Sequence, residues 1–216
     1  MQSEAAALSH SEIEAMFTRG DGRFVFARWG RPIAPVVFGV EAETLGVIKG
    51  AFEAVCMLAG HTMAETDPEL GSNVMVFFCR DWQELTGVPD LDRLVPDLEA
   101  RVAALQAQEA NQYRLFRFDR AGAIQACFVF LRMDADLRAM SAEALALGQV
   151  VQLMLLWSEA AFAERSALAI AGDTLVLRPE IAELIRVAYD PVLPDVAEDA
   201  SHALRLAARL SRAAST

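Results

Sequence analysis

Cysteine is scarce: Cys56, Cys79 and Cys127 are the only three. An odd count without short spacings excludes a disulfide framework and a redox pair. Each lies in an apolar run ("AVCML", "VFFCR", "QACFVF"), so buried free thiols are expected. Cys79, beside Arg80, is the one thiol whose setting hints at reactivity. Long hydrophobic runs are missing too. The most apolar stretch, "ALALGQVVQLMLLW" at 144 to 157, is interrupted by two glutamines and is shorter than the ~20 residues that span a bilayer. The start, "MQSEAAALSHSEIEAMF", has an early Glu, no basic region and no apolar core, so it does not resemble a signal peptide. Unless a processed segment precedes it, a cytoplasmic location is expected.

Positive charge is short as well, with 19 Lys and Arg against 30 Asp and Glu and a net charge of −11. That argues against nucleic acid, whose phosphates are neutralised by cations, and against anionic membrane surfaces. Several motifs are absent. No Gly-x-Ser-x-Gly elbow, no Gly-x-Gly-x-x-Gly and no Gly-x4-Gly-Lys-Ser/Thr occurs, which removes a common hydrolase signature and the nucleotide-binding fingerprints. "GDG" at 20 to 22 lacks the other oxygen ligands of a calcium loop. No cofactor is implied by any of these runs.

What the chain does have is apolar residues, 54% of the total, above the ~45–50% usual in soluble proteins. A chain of this length buries roughly 70% of its unfolded surface. No repeat and no Gly/Ser linker divides it. The organisation expected is an N-terminal helical segment over 1–20, one α+β domain over 21–194, and an amphipathic C-terminal helix over 195–216. Ser9 or Ser11 can cap the first helix, with Glu12 or Glu14 completing a capping box. "RFVFARW" alternates as a strand does, with Phe24 and Phe26 on one side. "IAPVVFGV" is a second strand, which Pro35 marks as an edge. "EAETLGVIKGAFEAVCMLAG" is a helix capped by Gly60. "NVMVFFC" is a continuous apolar strand, central in a sheet. A polar, mostly helical stretch over 81 to 112 follows, with Leu91, Leu94, Leu98, Val102 and Leu105 in one stripe. "YRLFRFDRAGAIQACFVFLRM" is a hairpin, "IAGDTLVLRP" a short turn or strand pair, and "PEIAELIRVAYDP" a helix opened by Pro179. The order implies a mixed, largely antiparallel sheet covered by helices.

The helix "SAEALALGQVVQLMLLWSE", 141 to 159, comes straight after a strand, where many zinc peptidases carry His-Glu-x-x-His. Here the slot is Gly148–Gln149–Val150–Val151–Gln152. Neither end is a ligand, and an amide cannot take a proton from a zinc-bound water as a carboxylate does. Gln149 and Gln152 share a face with Glu143 and Glu159. That face is either the polar stripe of a half-exposed helix or an amide-and-carboxylate groove that hydrogen-bonds a ligand or a peptide backbone.

Other candidates are weaker. His61 and Glu65 stand at i and i+4 in "GHTMAE", with Asp67 and Glu69 nearby, but they follow a helix cap, so a metal loop is the minor reading and a solvated loop the major one. His10 and His202, in terminal helices, are expected at the surface. "RWGRPI" gathers Arg28, Trp29 and Arg31 at a strand end. These are either interface anchors or a structural Arg/Trp pair closing the sheet.

Taken together, "RWGRPI", "LAGH", "NVMVFF", the hairpin leading to "GQVVQLML", and "LIRVAYDPVLP" resemble an uncharacterised proteobacterial family known only as a domain of unknown function (DUF2927-like). The resemblance covers about residues 24 to 194. In that family the helix resembles Glu-Glu-x-x-Gln before a small apolar run, a pattern reminiscent of a zincin helix. Here Gly148 and Gln149 stand in place of the paired acids, and only Gln152 matches. The resemblance implies a zincin-like topology with a degenerate site. Members often look exported or lipid-anchored, but this chain shows no such segment, and the family offers no activity to carry over.

The expectation is a non-enzymatic binding or protein-interaction domain, a degenerate zincin-like module, with Glu143, Gln149, Gln152, Arg28, Trp29 and Arg31 as binding candidates and no catalytic residue. The partner is a protein or a small ligand, and Leu204, Leu206, Ala207 and Leu210 of the last helix either dock on the domain or pair two copies. The alternatives are a metal-dependent hydrolase with an atypical site at His61, Glu65 and Glu143, and a small-ligand sensor with an apolar pocket.

Overall fold

The computed structural model describes residues 8–172 and 174–213. In chain order its elements are α1 (His10–Phe17), β1 (Phe26–Ala27), β2 (Pro35–Phe38), α2 (Ala42–Ala59), β3 (Val74–Cys79), a 3-10 turn (Trp82–Gly87), α3 (Leu91–Leu94), α4 (Leu98–Ala107), β4 (Gln112–Phe118) and β5 (Ile124–Arg132). Then come α5 (Ala135–Ala139), α6 (Ala142–Met154), β6 (Leu168–Ala171), β7 (Thr174–Leu177), α7 (Pro179–Ala188), β8 (Val196–Ala197) and α8 (Ser201–Ala213). The architecture is α+β.

Four strands form the central sheet in the order β2-β3-β5-β4. β2 and β5 both run parallel to β3, and β4 turns back antiparallel to β5. The two small pairings, β1 with β8 and β6 with β7, are antiparallel. β3 is apolar throughout, and β5 is apolar from Ala126 to Leu131, because both of their faces are covered there. Val74, Val76, Cys127, Val129 and Leu131 point into a core with α1, α2, α6, α7 and α8. Phe77, Cys79, Ala126, Phe128 and Phe130 point the other way, against Trp82, Leu85, Leu91, Leu98, Val102 and Leu105. The period of two in a pleated strand makes this division.

Local chemistry sets the ends of the elements. Ser9 and Glu12 form the expected capping box at α1. Gly60, with φ 64°, closes α2 in the left-handed region that glycine adopts without strain. Over 81 to 112 the helical stretch is cut in three. Pro89 and Pro96 cannot donate a backbone hydrogen bond, and each is followed by a left-handed aspartate, Asp90 or Asp97, that starts the next helix. Leu94 leaves the expected apolar stripe as a result and is exposed.

Two expectations are corrected. The strand foreseen over 23 to 29 is regular only at Phe26–Ala27, because the segment touches several partners in turn: Thr18 pairs with Phe24, Arg28 with Leu155 and Trp29 with Ile124. Its alternation holds only over 24–26, with Phe24 and Phe26 buried and Val25 partly exposed, since Ala27, Arg28 and Trp29 are all buried. The helix foreseen to 159 stops at Met154, where Leu155 turns extended. The last four carbonyls of a helix lack intrahelical donors, and here side chains supply donors to three of them. Trp157 Nε1 donates to Val151 at 3.0 Å, Trp29 Nε1 to Leu153 at 2.8 Å, and Tyr189 OH to Met154 at 2.7 Å. Glu159 therefore lies off the helix and pairs with Arg19 at 3.1 Å.

At the C-terminus, Ala203, Leu206 and Leu210 of α8 are buried in the chain's own core, and Leu204 is exposed. His202, expected at the surface, is buried instead, because it falls one turn before Leu206 on the inward stripe. His10 is exposed. Among the described residues no helix is long and apolar enough to cross a membrane.

Candidate functional site

β4 is an edge strand: among the described residues β5 lies on one side of it and no strand on the other. Among the described residues its backbone makes no hydrogen bond outside its ladder with β5. Its alternation sends Tyr113 and Leu115 toward the aromatic core around Phe130. Gln112, Arg114 and Phe116 therefore face the side that α6 covers. A bulge between Arg117 and Phe118 ends the regular pairing.

The α6 residue that meets β4 is Gln149. It is buried, and it is the one candidate from the sequence that joins a polar cluster at this edge. Arg114 Nη2 donates both to Gln149 Oε1 and, at 3.0 Å, to Gln112 Oε1. Gln149 Nε2 donates to Gln112 Oε1 at 3.2 Å. Arg114 Nε is buried and has no acceptor among the described residues. No carboxylate pairs with this guanidinium among the described residues. Burial pulls its pKa down to about 10. The neighbouring Cys127 thiol, buried beneath the sheet, is pushed up to about 12 by the same loss of water.

Past Arg114 the strand borders an open groove of about 650 Å³. Phe116, Phe118, Val25 and Leu156 give it an apolar floor, and Arg19 and Arg23 stand at its rim. Each of those arginines has its own acid: Arg19 pairs with Glu159 at 3.1 Å and Arg23 with Asp21 at 2.8 Å.

The remaining candidates do not converge on this cluster. Gln152 is partly buried one turn further along α6, and Glu143 is exposed in its first turn. Arg28 is buried at the far end of the sheet. It pairs with Asp195 at 2.7 Å and donates to the carbonyls of Ala188 at 2.8 Å, Asp190 at 3.2 Å and Leu193 at 2.9 Å. Its guanidinium lies 5.5 Å from the Tyr189 ring, so the stacking partner is Tyr189 rather than Trp29. Trp29 is buried as the cap of α6. Arg31 bridges Glu69 at 2.9 Å and Asp67 at 3.4 Å. Burial pushes the Asp67 carboxyl up, but backbone N–H groups of Leu70 and Glu69, with Asn73 and Arg31, outweigh this and hold it below its ordinary range.

His61 and Glu65 do not share a helical turn, because Gly60 has already ended α2. His61 Nε2 lies 2.9 Å from the Arg31 carbonyl, and burial lowers its pKa; Glu65 is exposed. Among the described residues no three His, Cys, Asp or Glu side chains gather as metal ligands would. Cys79, for all its proximity to Arg80 in sequence, is buried with its pKa raised to about 11, by burial first and then by Glu84 and Asp81. Sequence reasoning missed Arg114 and Gln112. Their signal was the alternation in "QYRLFRF", where Gln112 and Arg114 stand on one face of an edge strand.

Comparisons with protein-family models, with curated proteins and with solved structures give no match.

Proposed function

We propose that this chain is a non-enzymatic binding domain that takes an extended segment of a protein partner along the open edge of β4. The observation that supports it most is the edge itself. Its outward backbone groups are unspent, a polar cluster stands at its middle, and an apolar groove lies at its end. Added strands gain affinity from main-chain hydrogen bonds and selectivity from the surfaces that meet alternate side chains. The apolar groove by Phe116 and Phe118 suits one apolar side chain, and the Arg114–Gln149–Gln112 cluster suits a polar one.

The make-up of the cluster favours binding over chemistry. Two amides and a guanidinium neither accept nor release a proton near neutral pH. On the helix where a zinc peptidase carries its carboxylate base, Gln149 is committed to Arg114. Three buried, unpaired thiols suit a reducing, cytoplasmic setting.

Hydrogen exchange in the presence of pooled extended peptides tests this reading. Slowed exchange confined to residues 112–116, with the peptides recovered intact by mass spectrometry, is expected. Protection elsewhere, or peptide cleavage, would overturn it.

A further inference from the structure

The cationic centre of this edge lacks an anion. Arg28 is buried and Arg114 is partly buried with its Nε shut off from water, but the two are treated differently. Arg28 has Asp195 and three carbonyls around it. Arg114 has two neutral amide oxygens, and its Nε is buried without any acceptor among the described residues. The chain has acids in excess, 30 against 19 basic residues, and the arginines of the adjoining groove each hold one of them. A desolvated charge without a counter-charge is costly. Arg114 sits in the middle of an edge whose backbone is free.

Resting on the reading of β4 as a peptide-binding edge, we propose that the bound segment presents a carboxylate side chain, Glu or Asp, opposite Arg114. The geometry suits a planar acid. Arg114 offers Nε and Nη2 on one side of its plane, a fork that matches the two oxygens of a carboxylate. Gln112, exposed on the outer strand, is the side chain that moves aside to admit it. Gln149 Nε2, now bonded to Gln112, then donates to the incoming carboxylate in its place. A phosphate, with three anionic oxygens, asks for more donors than one arginine and one amide provide. Next to the carboxylate, two positions along the segment, an apolar side chain meets Phe116 and the groove beyond it.

The test uses the full chain and short acetylated, amidated peptides of alternating Thr and Val with a central Glu, Gln or phosphoserine. Affinity is read by fluorescence anisotropy and location by hydrogen exchange. The Glu peptides are expected to bind about tenfold tighter than the Gln peptides, with protection at residues 112–116. That preference disappears in Arg114→Met. It also disappears in Gln149→Glu, which gives the same guanidinium an internal carboxylate and carries the test if Arg114→Met does not fold. Equal binding of Glu and Gln peptides at a protected β4 overturns the carboxylate inference and leaves the peptide-binding reading standing. Tighter binding of phosphoserine than of Glu also overturns it. Absence of protection at β4 with every peptide removes the peptide-binding reading, and this inference falls with it.

Discussion

Arg114 donates from Nη2 to the side-chain oxygen of Gln149, joining the middle of the edge strand β4 to the middle of α6. A neutral amide is a weak partner for a partly buried guanidinium whose Nε is shut off from water. Replacing it by an isosteric carboxylate makes the bond charge-assisted, which is shorter and stronger. Gln149→Glu is therefore expected to raise stability by about 1–2 kcal/mol at pH 7. Chemical unfolding measures it. The gain exists only while the new group is ionised, so it should vanish as pH falls through the carboxylate range. A loss of stability at neutral pH would mean that Arg114 is already satisfied.

Trp29 is a structural residue of α6 although it lies more than a hundred positions before it. Its indole N–H satisfies the Leu153 carbonyl, which the end of the helix leaves without a donor. Trp29→Phe keeps most of the apolar surface and removes the donor. The expected cost is about 1–3 kcal/mol, the penalty for a buried acceptor left unpaired. A change well under that range in urea unfolding would show the carbonyl finding water.

Arg28 and Asp195 form an unequal pair. The Arg28 side chain is 8% exposed and the Asp195 side chain 48%. Removing the buried partner also orphans the Ala188 carbonyl at the end of α7 and the Leu193 carbonyl in the turn after it, while the Asp190 carbonyl keeps the Leu193 N–H. Arg28→Met is expected to cost on the order of 3 kcal/mol. Asp195→Asn removes only a half-solvated charge and should cost less than about 1 kcal/mol. Equal effects from the two variants would contradict this account.

The fold was legible where a residue's role is local. Gly60 announces the end of α2, Pro35 an edge strand, Pro179 the start of α7, and the apolar run at 74 to 79 a strand covered on both faces. What escaped the sequence depends on distant partners. The end of α6 is fixed by Trp29 and Tyr189, and without them in view the apolar run to Trp157 looks like uninterrupted helix. Arg28 and Trp29 were singled out together, yet one locks the end of α7 and the other caps α6. At the site, Gln149 could be picked from its place on the helix. Arg114 could not, because an arginine in an alternating edge strand signals solvent unless a helix is known to cover that face.

Zinc should leave the melting temperature unchanged within about a degree, since a ligand stabilises only in proportion to its binding. His61 already spends its Nε2 on the Arg31 carbonyl, and Glu65 stands off any shared turn with it. Thermal scans of chelator-treated protein with and without added zinc check this. A rise of several degrees that is lost in His61→Ala would return the hydrolase alternative to the front.

His202 gives the chain an acid weakness at its C-terminal helix. The ring is 1% exposed, packs 4.4 Å from Phe26, and among the described residues neither nitrogen has a hydrogen-bond partner. Burial lowers its pKa to about 4, and the nearby Arg205, Arg28 and Arg209 push the same way. Above the ordinary histidine value of roughly 6.5 neither folded nor unfolded chain is protonated there, and no cost arises. As pH falls below it the unfolded chain takes a proton that the folded chain refuses. Stability therefore declines until the folded group titrates near 4, then levels off. Between pH 7 and pH 5 the loss expected from this residue is about 2 kcal/mol. His61, whose pKa is also lowered, adds a slope of the same sign, so the quantity to measure is the difference between the wild-type chain and His202→Leu in urea unfolding at both pH values. The variant should be the less pH-sensitive of the two, and more stable at pH 5. If both chains lose the same stability, the His202 ring has access to water that its burial does not suggest, and α8 must open locally before the rest of the fold.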